Sequence, residues 1–217
     1  MKSVKHKPAG RKLVDADTSR ARLLAAAATE FASHGFAGAN VERIARGARL
    51  NKAMIYYHFK DKADLYREIL RDMFGAVEAR VTRMAASDDG PADKIRGFVE
   101  AIALEADARP HFPPIWFREI ADGGSHLDAA TVSHISGILR VLAGIVQEGV
   151  AAGQFKPVSP LLVHGGIVGP LLLYFASGGL RLRMDRAGVS GASGFQRDEV
   201  VAHIQRVALG TLEGRMS

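Results

Sequence analysis

Apolar positions along the chain recur at helical spacing, beginning near the N-terminus. Leu24, Ala28 and Phe31 stand at positions i, i+4 and i+7, which is the spacing of one buried helix face. They predict a helix over about residues 17–34, and Gly35 follows as its stop signal. No segment shows the strict alternation bounded by turn residues that indicates a β-hairpin. The pattern therefore predicts an all-α protein.

Two short helices and a long one follow. Asn40 is positioned to cap a helix whose inward face would be Val41, Ile44, Ala45 and Ala48. Asn51 is placed to cap a second short helix, residues 52–58. Asp61 is then expected to begin a helix with apolar positions at Leu65, Ile69, Met73, Val77, Val81 and Met84. At 1.5 Å per residue its roughly 24 residues would span about 36 Å, enough to link two parts of a molecule.

The remaining two thirds of the chain predict further helices. Pro91 suits a first helical position, and Ile95, Phe98, Val99 and Ile102 form the next core stripe. We expect helices over residues 115–121, from the Ser125 capping-box position to 152, from Pro160, and from Asp198 onward, with a Gly/Ser-rich loop over 185–197. The total is about nine helices. We divide the chain into an N-terminal arm (residues 1–16), a first helical domain (17–62) and a second helical domain (63–217).

One segment, residues 161–180, is long and apolar enough to be tested as a membrane span. It contains His164 as its only ionisable residue, but also five glycines and Pro170. A helix that is apolar on every side is equally typical of a buried or dimer-forming helix. We expect the latter, and no membrane association.

Charge is distributed unevenly along the chain. Residues 1–62 contain 13 Lys and Arg against 5 Asp and Glu, whereas residues 63–217 contain 16 against 18. All excess positive charge therefore lies in the first third, which favours a polyanionic partner there. Residues 1–16 are expected to form a flexible basic arm. The chain has no cysteine, and no apolar segment follows its first residues as a secretory signal would require; we expect a cytoplasmic protein.

Residues 40–59 have the pattern of a helix-turn-helix, in which the second helix enters the major groove of DNA. Ile55 and Phe59 would face inward, while small Ala53 would allow close approach to the bases. Lys52 is able to reach guanine acceptors or a phosphate, and tyrosine hydroxyls suit phosphates. The alternative is a basic helical hairpin with tyrosines that only pack. The residues predicted to contact DNA are Asn40, Arg43, Lys52, Ala53, Met54, Tyr56, Tyr57, His58 and Lys62.

Three stretches between Arg20 and Leu70 resemble the TetR/AcrR family of bacterial regulators. They are RARLLAAAATEFASHGF, VERIARGA and NKAMIYYHFKDKADLY. The resemblance implies a three-helix DNA-binding domain followed by an α-helical ligand-binding and dimerisation domain. It also implies a homodimer formed through the last two long helices, which would bind a near-palindromic double-stranded DNA operator.

The chain departs from the family pattern at three places. Arg49 stands where the family usually has glycine, in a turn that tends to need a left-handed residue, and a phosphate contact would compensate the cost. Ala39-Asn40 replaces the usual Thr/Ser pair. Met54 replaces a common threonine, which would change base readout.

Beyond residue 88 no motif of comparable strength occurs. The resemblance implies a mostly apolar pocket for a small-molecule effector among the middle helices, although each candidate equally suits ordinary core packing. The polar groups that would orient a ligand are those of Trp116, Tyr174, His134 and His164. The candidates are Phe74, Val77, Phe98, Ile102, Trp116, Phe117, Ile138, Leu142, Leu172 and Tyr174.

The sequence does not indicate an enzyme. The sequence contains no G-x-S-x-G, no phosphate-binding glycine loop and no H-E-x-x-H motif, so we expect no catalytic residue, cofactor or metal. The prediction is a ligand-responsive DNA-binding regulator, acting as a repressor. The alternatives are a non-specific architectural DNA-binding protein without an effector and, third, a small α-helical enzyme.

Overall fold

The computed structural model describes the backbone of residues 9–215 and the side chains of residues 18–215. All regular secondary structure in this part of the chain is helical, which confirms the predicted fold class. The helices are α1 (Ala9–Gly38), α2 (Val41–Gly47), α3 (Ala53–His58), α4 (Lys62–Ala85), α5 (Pro91–Ala108), α6 (Phe112–Ala121), α7 (Ala129–Ala151), α8 (Pro160–Ala176), α9 (Gly178–Arg186) and α10 (Arg197–Leu212).

The described residues form ten helices rather than about nine, because the predicted apolar helix divides in two. α8 ends at Ala176, and α9 leaves it at an angle of 62°. Gly178 and Gly179 follow the break, and glycine stabilises a continuous helix least of all residues except proline. The Arg181 guanidinium also donates to the Tyr174 carbonyl at 2.5 Å, which satisfies an acceptor at the end of α8.

The first helix is longer than predicted. It begins at Ala9, not near residue 17, so the predicted arm is wrong for residues 9–16, and residues 1–8 lie outside the described part. Residues 9–16 contain no proline, and Arg, Lys, Leu and Ala among them favour helix. Gly35 breaks the helical geometry as predicted, with φ 68° and ψ 177°.

Two other helix starts differ from the sequence prediction. α7 begins at Ala129, and its cap is Asp128, which accepts from the Thr131 amide at 2.9 Å, rather than Ser125. α6 begins at Phe112 instead of residue 115. Its two prolines occupy the first turn, where the missing N–H groups would have no helical partner anyway.

The first four helices enclose one part of the core. Fully buried apolar side chains from each of them meet there: Leu23, Phe31, Ile44, Ile55 and Leu65. Helices of seven and six residues are too short to be stable alone. α2 and α3 therefore depend on α1 and on the start of α4 for their positions.

α4 continues from this first part into the second, where it packs against α5 and α7, while α8 and α10 complete the bundle. An arginine–carboxylate ion pair and a histidine–carboxylate contact join α4 to α7 and its cap. Arg71 contacts Asp128 at 2.5 Å, and His134 contacts Glu78 at 2.7 Å. Burial opposes ionisation of Asp128, but hydrogen bonds from Arg71 and Thr131 lower its pKa to about 2. α4 is thus fixed to both halves of the molecule.

Within the described residues, α7 has the length and hydropathy of a membrane span, and α8 with α9 would qualify only if the bent pair were one segment. The mean hydropathy of the α7 window is 1.6. One face of α7 is buried against α4, with Ile138, Leu142 and Ile145 almost inaccessible. A core helix of a bundle has the same composition.

Close packing at Gly149 generates a stability prediction. A Cβ built on Gly149 would lie 2.0 Å from the Phe155 ring, whereas one on Gly144, on the same helix, meets nothing within 4 Å. We expect Gly149→Ala to lower the free energy of unfolding by about 1–3 kcal/mol through overpacking. Gly144→Ala should raise it by about 0.5–1 kcal/mol through helix propensity. Urea denaturation measures both, and equal effects of the two substitutions would contradict the packing at Gly149.

Candidate nucleic-acid interface and a buried cavity

The N-terminus of α2 is fixed to α1 by one carboxylate. The Asn40 side chain accepts from the amides of Glu42 and Arg43, at 2.7 and 3.3 Å, and so caps the helix as predicted. Glu30 of α1 in turn accepts from the Asn40 amide at 3.0 Å and from Arg43 Nε at 2.7 Å. The Arg43 hydrogen bond lowers the pKa of Glu30, and burial opposes this only in part.

The turn between α2 and α3 has a left-handed residue where the sequence departs from the family pattern. Arg49 has φ 53°, and it is the one residue other than glycine with positive φ in the described chain. Arg22 of α1 donates to the carbonyl of Ala48 and, at 3.3 Å, to that of Arg49. These bonds satisfy two acceptors that the turn leaves outside the helices and hold an unfavourable backbone conformation in place.

α3 presents an exposed face to solvent. Ile55 and Phe59 are buried, as predicted, and anchor the helix on the core. The opposite face carries Tyr56 and Tyr57, with 53% and 72% of their surface exposed. Asn51 accepts from the Met54 amide at 3.1 Å and so supports the first turn. A narrow helical face with two exposed hydroxyl groups is therefore held in a fixed orientation.

Exposed cations surround this face. Lys52 donates to Glu42 at 2.6 Å, an ion pair that joins α3 to α2 and raises the pKa of Lys52. Arg46, Arg49 and Lys60 are exposed, and their side chains make no ion pair with any residue of 18–215. Arg46 and Lys60 are absent from the predicted contact set. Arg46 could have been identified by its position opposite the buried face of α2.

Three residues predicted to contact DNA make bonds to the protein's own groups in this structure. Arg43 pairs with Glu30 at 2.5 Å and also donates to the Gly38 carbonyl. The His58 ring is 2.7 Å from the Ser19 hydroxyl. Lys62 donates to the Phe36 carbonyl at 2.9 Å and lies 4.6 Å from the centre of the Phe36 ring. Of the other predicted residues, Met54 is half-buried, and Asn40, Arg49, Lys52, Ala53, Tyr56 and Tyr57 are exposed.

α6 connects this region to the helices that follow. Arg118 donates to the carbonyls of Phe31, Ala32 and Ser33, the last at 3.2 Å, so it caps α1 just before the break at Gly35. A Cβ on Gly35 would lie 3.3 Å from Arg118 Cδ, so this close approach favours glycine. The next residue, Glu119, is fully buried.

Glu119 joins three elements. It accepts from the Tyr66 hydroxyl of α4 at 3.1 Å and from the His126 amide at 2.7 Å. Burial, and then the charge of Glu119, raise the pKa of Tyr66. α6 is thus bonded to both α1 and α4, which enclose the first part of the core.

A small enclosed cavity lies between α4, α5, α6, α7 and α8. Its volume is about 30 Å³, whereas sites for drug-sized ligands have roughly 300–1,000 Å³. Phe74 meets Trp116 and Phe112 edge to face at ring distances of 4.9 and 5.5 Å. The cavity is lined by Phe74, Val77, Ile102, Phe112, Trp116, Ile135, Ile138, His164, Val168 and Leu172.

Six of the ten residues predicted to bind a ligand line this cavity: Phe74, Val77, Ile102, Trp116, Ile138 and Leu172. The other four do not. Phe98 and Leu142 are fully buried in the core, Phe117 is half-buried, and the Tyr174 hydroxyl donates to the Phe195 carbonyl at 3.1 Å. His164, which the sequence analysis named as a group that would orient a ligand, also lines the cavity. Helical spacing could have found two of the remaining lining residues, because Phe112 precedes Trp116 by four positions and Val168 precedes Leu172 by four.

Comparison with known proteins agrees with this architecture. The sequence profile of "Bacterial regulatory proteins, tetR family" matches residues 23–69, which contain α2, α3, the second half of α1 and the first third of α4. The HTH-type transcriptional repressor SCO4008 of Streptomyces coelicolor is 32% identical over 111 residues, covering 51% of this chain and 54% of that protein. The chain therefore spans about half the length of this relative.

Two further proteins match over a longer stretch. The HTH-type transcriptional repressor KstR2 of Mycolicibacterium smegmatis is 30% identical over 140 residues, covering 64% of this chain and 68% of KstR2. The crystal structure of the transcriptional regulator FadR from Bacillus subtilis, in complex with stearoyl-CoA, superposes with a TM-score of 0.68 at 16% identity. It covers 88% of this chain and 98% of FadR, and shows that the two share a fold.

The left-handed turn predicts opposite preferences at two neighbouring arginines. At Arg49, glycine should give a protein about 1 kcal/mol more stable than alanine, because glycine has no Cβ to clash at positive φ. At Arg46, inside α2, alanine should be the more stable by about 0.5–1 kcal/mol. Urea denaturation of the four single variants measures both differences. If alanine equals or exceeds glycine at position 49, the turn is not strained.

Proposed function

The chain belongs to the TetR family of bacterial DNA-binding transcriptional regulators, and we propose from this that it is a repressor that binds a near-palindromic operator as a homodimer and leaves it when a small, largely apolar effector binds. The observation that carries the proposal is the exposed, cation-flanked face of α3 beside a rigidly held turn. That combination suits insertion into a major groove. We expect the protein to act in the cytoplasm, where its DNA lies.

Contact with DNA is assigned to the exposed residues. Tyr56 and Tyr57 donate to phosphates on either side of the groove, and Ala53 allows the backbone to approach the bases. Lys52 exchanges its ion pair with Glu42 for a base or phosphate. Asn40, Arg49 and half-buried Met54 complete the predicted surface, with Arg46 and Lys60 added by the geometry. Arg43, His58 and Lys62 act by holding this surface, since their polar groups already bind the protein.

The basic residues before α1 add affinity without sequence preference. Lys2, Lys5 and Lys7 lie in the N-terminal segment, which precedes α1 in the sequence. Each phosphate that such a residue neutralises contributes about 0.9 to the slope of log affinity against log salt concentration. Removal of this segment should therefore make the affinity for DNA less dependent on salt concentration.

Dimerisation is assigned to α8 and α10, which pack together as an antiparallel pair. Their opposite ends meet, because the Lys156 amide donates to the Leu212 carbonyl at 2.6 Å and the Tyr174 hydroxyl to the Phe195 carbonyl. The outer face of α8 is apolar, with Leu161, Leu162 and Leu173 each more than half exposed, and it includes three glycines, 165, 166 and 169, with open space around them. A second copy would cover this face and allow close helix contact.

Release from the operator is assigned to displacement of α4 and α6. Phe74 and Trp116 meet edge to face at the cavity, and each lies on a helix that also contacts α1, through Tyr66 against Phe31 and through Arg118 respectively. A ligand that enlarges the cavity must move these helices. By linkage, ligand and DNA then weaken each other's binding by the same factor. FadR, which shares the fold, is described with stearoyl-CoA, a molecule with a long apolar chain, and this supports an apolar effector.

Substitution of Lys52 tests the DNA-binding function. Selection from random duplexes is expected to yield a near-palindromic sequence bound by the wild-type protein. On that duplex Lys52→Ala should cost about 1–3 kcal/mol of binding free energy, measured by fluorescence anisotropy. Glu42→Gln serves as the control, because it breaks the same ion pair but keeps the cation. An equal loss for Lys52→Ala on scrambled DNA would assign this lysine to phosphates, and failure to select any sequence would favour the architectural alternative.

A charge placed on the outer face of α8 tests the dimer. Gly169→Arg is expected to give a monomer by light scattering and to weaken binding to the full palindrome at least about tenfold, because an arginine cannot be buried unpaired between two apolar helices. Gly144→Arg, on an equally open position of α7, should remain dimeric. A dimeric Gly169→Arg protein would place the interface elsewhere.

A further inference from the structure

His164 is the one ionisable side chain that lines the cavity, and it lacks a hydrogen-bond partner within residues 18–215. The other nine lining residues are apolar or aromatic. The His164 side chain is partly buried. The cavity therefore combines a largely hydrocarbon wall with two hydrogen-bonding groups, the imidazole of His164 and the indole N–H of Trp116, and only the imidazole is able to accept a hydrogen bond.

Ionic groups near the cavity are already neutralised. Arg80 and Glu105 each stand three positions from a lining residue of the same helix, so they lie about one helical turn from the wall. Arg109 lies between α5 and α6 and contacts Glu105. Glu105 is almost fully buried and accepts from both arginines, and Asp72 lies 3.5 Å from Arg109. These cations are therefore not available to a charged ligand. A carboxylate in the cavity would lose its hydration without gaining a counter-ion.

His164 itself is suited to recognise a neutral group. Burial lowers the pKa of His164 and so favours the uncharged imidazole. A neutral imidazole offers one N–H donor and one nitrogen acceptor. It can bind a hydroxyl or a carbonyl group without requiring a charge on either partner.

We propose that the effector is an uncharged molecule with a hydrocarbon body and a single hydrogen-bonding group, which His164 binds. The proposal rests on the proposed ligand-released repressor and specifies the chemistry that its cavity accepts. It excludes an effector whose buried end carries a carboxylate or a phosphate. Nine apolar lining residues supply the affinity, and His164 supplies the selectivity for one polar group.

Binding must enlarge the cavity, because about 30 Å³ holds little more than a water molecule. The edge-to-face contact between Phe74 and Trp116 has to open as a ligand enters. Trp116 is the only tryptophan of the chain. Its fluorescence therefore reports the occupancy of this one site without any label.

Three probes of matched shape test the proposal on the full-length protein: toluene, p-cresol and p-toluate. All share a methyl-substituted ring, and they differ in having no polar group, a neutral hydroxyl or a carboxylate. Trp116 emission measures the three dissociation constants. We expect p-cresol to bind roughly threefold to tenfold more tightly than toluene, because it adds a hydrogen bond to His164. p-Toluate should bind at least about 100-fold more weakly than p-cresol, because its charge is unpaired.

Substitution of His164 separates its hydrogen bond from the apolar contacts. In His164→Leu the preference for p-cresol over toluene should disappear, while toluene binds as well as before or better. His34→Leu, a change on α1 remote from the cavity, should leave all three affinities unchanged. Circular dichroism confirms that each variant is folded.

Several outcomes would overturn the proposal. They are p-toluate binding as tightly as p-cresol, an unchanged p-cresol preference in His164→Leu, or no response of Trp116 emission to any probe at saturation. Operator binding is measured in parallel. If p-cresol binds through His164 but leaves operator affinity unchanged, the assignment of the cavity is supported and ligand-driven release is refuted. If no operator is bound at all, the repressor proposal fails independently of the probes.

Discussion

The DNA-facing surface depends on bonds that α1 makes to two helices too short to fold alone. Glu30 fixes the start of α2 through Asn40 and Arg43, and Arg22 binds the carbonyls of the turn that leads into α3. Each is a hydrogen bond to or from a charged group, which is stronger than one between neutral partners. The exposed tyrosines of α3 keep their orientation because the backbone below them is held at both ends.

Two helices, α4 and α6, join the two halves of the molecule. α4 carries Tyr66 at the DNA-facing core and Phe74 at the cavity, about two helical turns apart. α6 has the cavity residues Phe112 and Trp116 in its first half and the α1 cap, Arg118, in its second. A packed interior does not deform continuously. Expansion at the cavity therefore has to be relayed to α1 through these rigid helices, which is the physical basis of the proposed release.

Local signals predicted much of this fold. Apolar spacing identified the core faces of α2, α4 and α5, and the caps Asn40 and Asp61 were correct because a side-chain acceptor at a helix start acts over three residues. The helix breaks at residues 35 and 177 differ in how far local sequence signals predicted them. Gly35 was found from a single residue, whereas the division of α8 from α9 depends on a glycine pair and on Arg181 reaching back across the break.

The sequence by itself determined the helical class, the inward and outward faces of the short helices, and the excess of positive charge at one end, since all of these follow from periodicity and composition. Only the tertiary structure decided which polar side chains have a hydrogen-bond partner within the protein. Arg43, His58 and Lys62 look like DNA ligands in the sequence, yet their partners Glu30, Ser19 and the Phe36 carbonyl are distant in the chain. His164 shows the opposite case, since an apolar helix gives no sign that its histidine lacks a partner. A hydrogen bond depends on distance in space, and one-dimensional spacing does not record it.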